Sequence, residues 1–194
     1  MNSGRLSFLA GLVGMLLIGW VFFPSLLYQK EPQPLQFSHA VHTGEAVGMT
    51  CDNCHTFTAD VRSMAIPRLS NCKECHSEVL GESEAEKRLV DEFVAHDREI
   101  PWRTYSRQPD NVYFSHIQHV QIAEIECERC HGSHGKSETL TDRQINRISG
   151  YSRNIEGQII PGLRFKAWDR MKMDDCSDCH DERGASNSCL KCHK

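Results

Sequence analysis

Ten cysteines and eleven histidines stand in a chain of 194 residues, and every cysteine belongs to one repeated pentapeptide. The five copies are Cys51-Asp-Asn-Cys54-His55, Cys72-Lys-Glu-Cys75-His76, Cys127-Glu-Arg-Cys130-His131, Cys176-Ser-Asp-Cys179-His180 and Cys189-Leu-Lys-Cys192-His193. C-x-x-C-H is the attachment pattern of a c-type haem. Two thiols add across the vinyl groups as thioethers, and the adjacent His reaches the iron. Zinc knuckles also use C-x-x-C pairs, but they do not need a His directly after every second Cys. Disulfide frameworks use even cysteine counts without one fixed pentapeptide. The pattern predicts five covalent haems, with His55, His76, His131, His180 and His193 as proximal ligands.

Six further histidines remain: His39, His42, His96, His116, His119 and His134. Six candidates for five distal positions favour irons closed on both sides, suited to electron transfer rather than to catalysis at an open position. Their placement repeats. Phe37-Ser38-His39-Ala40-Val41-His42 precedes the first motif, and Phe114-Ser115-His116-Ile117-Gln118-His119 precedes the third. The F-S-H-x-x-H…C-x-x-C-H unit is therefore an internal repeat. Two His three residues apart on one helical turn can serve two neighbouring haems. This opening resembles that of the cytochrome c3 and c7 families, in which both His are distal ligands.

His96 rests on a separate pattern. Ser83-Glu84-Ala85-Glu86 reads as a capping box opening a helix over 82–99. Leu89, Phe93 and His96, widened by Val90 and Val94, form one apolar stripe that ends before Pro101. The helix also carries Glu84, Glu86 and Glu92, which read as a solvated face. His134 follows His131 by three residues and is close to a porphyrin by sequence alone. Met49, Met64, Met171 and Met173 lie near motifs and read as packing residues. Eleven His plus one Met would also supply the twelve axial ligands of six haems, but a sixth would lack its own cysteine pair.

Composition agrees with an interior filled by something other than side chains. Residues 1–29 hold 18 hydrophobic residues, and without the cysteines only about 29% of positions 30–194 are hydrophobic. Typical domains reach roughly 45–50%, glycine included. A net charge of −4 with mixed signs gives no support to nucleic-acid binding. The fold class expected is a mainly irregular and α multihaem cytochrome c, with c3/c7-like haem packing.

Leu6 to Phe23 is an uncharged run of 18 residues, long enough for an N-terminal transmembrane helix, with no convincing signal-peptidase site after it. Arg5 lies before the span, which keeps that end cytoplasmic. Haem attachment outside the bacterial cytoplasmic membrane puts residues 37–194 in the periplasm, on a single-pass anchor at 1–29. Ser7 and Gly11, and Ala10 and Gly14, have the spacing that lets another helix approach closely. Residues 30–36, with Glu31-Pro32-Gln33-Pro34, read as a short stiff linker.

A more specific resemblance lies in Ile100-Pro101-Trp102-Arg103, Gln108-Pro109-Asp110-Asn111-Val112-Tyr113-Phe114-Ser115-His116 and His119-Val120 leading to Cys127…His131-Gly132. Gly44-Glu45 before Cys51, Ile66-Pro67 before Cys72 and Met173 before Cys176 agree with it. Together these resemble the pentahaem cytochrome subunit of alternative complex III and of related periplasmic menaquinone reductase complexes. The resemblance implies three partners. They are a multi-span quinone-binding membrane subunit, an iron–sulfur and molybdopterin-oxidoreductase-like subunit, and a soluble periplasmic cytochrome c. It implies an electron relay without substrate chemistry of its own. Rival expectations are a self-contained membrane-anchored quinol dehydrogenase, and a tethered carrier without quinone contact. Residues 136–175 hold no His or Cys and match only near their end, and their Arg143, Arg147, Arg153, Arg164 and Arg170 read as solvated charge.

Overall fold

The computed structural model describes residues 3–59, 62–105, 111–148 and 173–193. Its elements are short. After the N-terminal helix α1 (Ser3–Leu17) and α2 (Phe23–Leu27) come β1 (Tyr28–Glu31), α3 (His39–Thr43), α4 (Cys51–Cys54), α5 (Leu69–Lys73) and α6 (Glu84–Arg88). These are followed by α7 (Cys127–His131), β2 (Arg143–Asn146), α8 (Met173–Glu182) and α9 (Cys189–Cys192). Arg153, Arg164, Arg170 and Met171 lie outside the described residues. So do Gln108, Pro109 and Asp110.

The N-terminal segment differs from the single long span expected. α1 has 15 residues, which reach about 22 Å, short of the roughly 30 Å hydrocarbon core. It passes into a π-helical turn over Ile18–Phe22 before α2. Pro24 has no N–H to give to the preceding turn, and the helix widens immediately upstream of it. Among the described residues, no helix is long and apolar enough to cross a membrane.

The expected linker is also different, because it is stitched into the domain. β1 pairs antiparallel with β2, with Tyr28 opposite Asn146 and Glu31 opposite Arg143. The Gln33 side chain donates to the Arg103 carbonyl at 2.8 Å and accepts from the Arg103 N–H at 3.1 Å. Leu35 is buried. Pro32 and Pro34 stiffen a segment that is already tied down on both sides.

The buried apolar core is small. Leu35, Leu69, Leu89, Phe93 and Ile100 form it, with Cys72, Ala85, Val94 and Trp102 packed around them. Among the described residues it sits beside the second cysteine motif alone. Segment 97–102 clamps the helix of that motif. Glu99 accepts from the Leu69 N–H at 2.9 Å, and Lys73 pairs with Asp97 at 2.7 Å. Ile66-Pro67 and Ile100-Pro101-Trp102, far apart in sequence, line one cleft there. The other motifs have no comparable apolar cluster among the described residues, as a chain wrapped around inserted groups would require.

The helix expected over 82–99 is broken. Ser83 is the N-cap of α6, but its side chain makes no cap hydrogen bond. From Leu89 to Val94 the chain is π-helical. Leu89 and Phe93 stay on the buried face. The wider π turn carries His96 off that stripe, and His96 is exposed.

Candidate haem-binding site

Each cysteine pair occupies a helical turn, and local hydrogen bonds fix the residue after it. The N–H groups of His55, His76 and His193 donate to the carbonyls of Cys51, Cys72 and Cys189, each at 2.8 Å. Cys-x-x-Cys therefore spans one turn, with the following imidazole thrown to a fixed side. After His131, Gly132 takes φ +59, a left-handed conformation that suits glycine. None of the ten cysteines is joined in a disulfide.

The two F-S-H-x-x-H units place their rings alike, although the first is α-helical and the second π-helical over Ile117–Ile122. Ser38 caps α3, its Oγ accepting the Val41 N–H at 3.3 Å. Phe37 stacks on His42 (centroids 4.3 Å apart, 24°) and meets His39 edge-on (4.9 Å, 85°). In the second unit Phe114 stacks on His119 (4.6 Å, 24°) and meets His116 edge-on (4.8 Å, 89°). A single phenylalanine thus holds both imidazoles of its unit. Gly44 ends α3 where a Cβ would lie 2.6 Å from the Ala40 carbonyl oxygen, so a side chain there would displace the turn leading to Cys51.

Imidazoles from distant segments then meet in pairs. His116 and His131 are parallel within 4°, with centroids 6.4 Å apart. His119 and His180 are 6.1 Å apart at 18°, and His42 and His76 are 6.1 Å apart at 58°. An imidazole nitrogen binds a metal at about 2 Å, and the ring centroid lies about 1 Å further back. Two imidazoles on opposite sides of one ion therefore stand about 6 Å apart. Among the described residues no three His, Cys, Asp or Glu side chains gather as a cage for a bare ion. The donor set fits the iron of a haem.

The outer nitrogens of these rings are occupied. Nδ1 of His42 and of His119 donates to the carbonyls of Ser38 and Ser115, each at 2.8 Å. Nδ1 of His116 donates to the Arg62 carbonyl at 3.2 Å. His55 donates to the Ala65 carbonyl at 3.0 Å and His180 to the Ser186 carbonyl at 3.1 Å. A carbonyl has no proton to give, so each Nδ1 carries the hydrogen and each Nε2 presents a lone pair, as a ligand must. Burial lowers the pKa of His39, His116 and His131. Neighbouring imidazoles lower it further, which keeps these rings neutral and able to bind iron.

His39 lies between two segments. Its Nδ1 meets Ser137 Oγ at 3.3 Å, and that hydroxyl donates to the His134 carbonyl at 2.8 Å. The imidazole acting most strongly on His39 is His55, ahead of His134 and His42. His134 is half-buried, near the Tyr105 ring at 5.7 Å. Among the described residues neither His96 nor His134 is in ring contact with His193. His193 is held instead by a bridge to Val112 and by the Tyr113 N–H donating to the Cys192 carbonyl at 2.8 Å.

The thiols set the order of the motifs. Burial raises the Cys72 thiol pKa and the negative field of Cys54 raises it further, so the second motif borders the first. Burial also raises Cys127, which in addition hydrogen-bonds with Cys51, so the first motif borders the third. Cys130 interacts with Cys179, and Cys176 with Cys130 and Cys192. The motifs therefore follow one another as second, first, third, fourth, fifth.

Sequence reasoning missed Glu86, which it placed in a capping box. Instead the carboxylate folds back over the loop before it, where Oε1 accepts from His76 Nδ1 at 2.8 Å and from the Leu80 N–H at 2.9 Å. Oε2 accepts from the Gly81 N–H at 2.9 Å. The Leu80 N–H is the main cause that holds its pKa below the usual value.

Cysteine pairs on helical turns, with imidazoles opposed across a haem-sized gap, define a c-type multihaem cytochrome. The family model of cytochrome c7 and related cytochromes c matches residues 112–194, which contain the second F-S-H-x-x-H unit and the last three motifs. The chain is also 36% identical over 207 residues to the menaquinone reductase multiheme cytochrome c subunit of Nitratidesulfovibrio vulgaris. The alignment covers 99% of this chain and 91% of that protein. The chain belongs to this family of multihaem cytochrome c subunits, whose cofactor is covalent haem c.

Proposed function

We propose that this chain is the electron-transfer subunit of a membrane-bound quinone:cytochrome oxidoreductase complex. It would relay electrons through five covalent haems between the menaquinone pool and a periplasmic cytochrome c. The observation that carries this reading is the row of motifs with opposed imidazoles. Bound haem supplies one-electron exchange at iron. His76 with His42, His131 with His116 and His180 with His119 would hold three of the irons. The internal repeat pairs His55 with His39, the imidazole that feels it most. His193 keeps His96 and His134 as candidates. Irons held by two imidazoles each would exchange electrons without binding substrate, with the paired residues keeping reorganisation small.

Membrane attachment belongs to the same proposal. The described large apolar side chains between Leu6 and Leu26 stand exposed, and the consecutive helical segments of 3–27 would be covered by lipid or by a partner helix. The haem domain would lie on the periplasmic side of the cytoplasmic membrane. Kinship with a menaquinone reductase subunit supports a quinone-linked complex, in which the partners would be those the resemblance to alternative complex III implies, a multi-span quinone-binding subunit and an iron–sulfur, molybdopterin-oxidoreductase-like subunit.

Mild-detergent purification from native membranes through a tag after Lys194, with mass spectrometry of co-purifying chains, tests the proposal. The expected result is recovery with a multi-span subunit and an iron–sulfur subunit. Recovery alone, with haems reducible by a menaquinol analogue, would replace it with a self-contained quinol dehydrogenase. Recovery alone and inert to quinol would leave a tethered carrier.

A further inference from the structure

Glu86 gives the second motif a proximal-imidazole partner unlike those of the first and fourth motifs. The Nδ1 donors of His55 and His180 go to neutral backbone carbonyls. His76 instead donates to a carboxylate oxygen at 2.8 Å. That carboxylate is only 11% exposed, and it is aimed at the ring by the N–H groups of Leu80 and Gly81 at 2.9 Å each. These contacts hold it against the ring. Glu84, two residues earlier and 83% exposed, pairs with Lys87 in the ordinary way. The reach of Glu86 back across ten residues to His76 is a specific placement.

An imidazole that donates its outer N–H to a carboxylate is more basic at the nitrogen facing the metal, because negative charge is passed into the ring. A stronger donor, with a fixed negative charge behind it, favours the more positive ferric state. Hydrogen bonding outside the ligand is one of the levers by which a protein sets haem potential. We propose that Glu86 is a positioning residue that lowers the reduction potential of the iron held by His76 below those of the motifs whose proximal imidazoles donate to carbonyls. The inference rests on the haem assignment above.

The test is a redox titration of the full-length holoprotein in detergent, followed optically and by EPR, with wild type and Glu86→Gln compared. Covalent haem content is measured first. A second motif without haem in the wild type would refute the haem assignment rather than the inference. With full haem content, Glu86→Gln should raise one component by about a tenfold change in its ferric-to-ferrous ratio, or 59 mV. The low-spin spectrum should be retained and the other components should move less. A set of potentials identical to wild type would overturn the proposal. If Glu86→Gln fails to retain haem, Glu86→Asp decides, because it keeps the charge but draws the oxygens away from His76. The same upward shift is expected, and its absence would overturn the proposal equally.

Discussion

Replacing His116 with methionine should raise the potential of one haem by roughly two decades in its ferric-to-ferrous ratio, about 120 mV. His116 faces His131 with centroids 6.4 Å apart and rings parallel within 4°. Its Nδ1 is anchored to the Arg62 carbonyl and its ring rests edge-on against Phe114. A thioether is a weaker donor to ferric iron than a neutral imidazole, so the reduced state gains. His116→Gly should go further and open the axial position, giving a high-spin spectrum for one haem. Added imidazole should restore the low-spin form. Absence of a high-spin component in His116→Gly would reject His116 as a ligand.

The second large effect is expected from removing an interior member of the row. Cys51 and Cys127 are in contact, and Cys54 acts on Cys72. The first motif is thus the link between the second motif and the remaining three. Cys51→Ala with Cys54→Ala should leave the haem of the second motif unable to equilibrate quickly with the others, slowing exchange by orders of magnitude after flash reduction. Cys189→Ala with Cys192→Ala removes the fifth motif at an end. It costs the same number of thioethers but should leave the remaining haems in rapid exchange. Equal effects of the two double substitutions would contradict the order drawn from the thiols.

Much of the site was legible because covalent attachment leaves a sequence pattern that local structure must obey. The C-x-x-C-H motifs and the two Phe-centred histidine pairs needed only one-turn geometry to be read. Which His faces which was not legible. His42 reaches past its own motif to His76, and His119 reaches past His131 to His180, through pairings set by tertiary packing. His96 read as part of an apolar stripe because a period of 3.6 was assumed, and the π turn over Leu89–Val94 moved it to solvent. Glu86 read as a capping residue because serine three positions earlier is the usual partner. The loop N–H groups of Leu80 and Gly81 and the His76 ring compete for the same carboxylate and hold it. Residues 30–36 read as a linker because prolines and polar residues dominate there. Nothing local revealed that β1 would pair with β2, more than a hundred residues away. The N-terminal run was legible as apolar, but the interruption by Pro24 shortened the helix that composition alone suggested.

The measurement that bears most directly on the central claim is the intact mass of the full-length chain purified under denaturing conditions, where only covalent groups survive. The account predicts a mass above the polypeptide's by five haem groups. Each Cys-pair substitution should lower that excess by one. A mass equal to the bare polypeptide, or an excess unaffected by replacing Cys127 and Cys130, would contradict the assignment of these motifs to haem and the electron relay built on them.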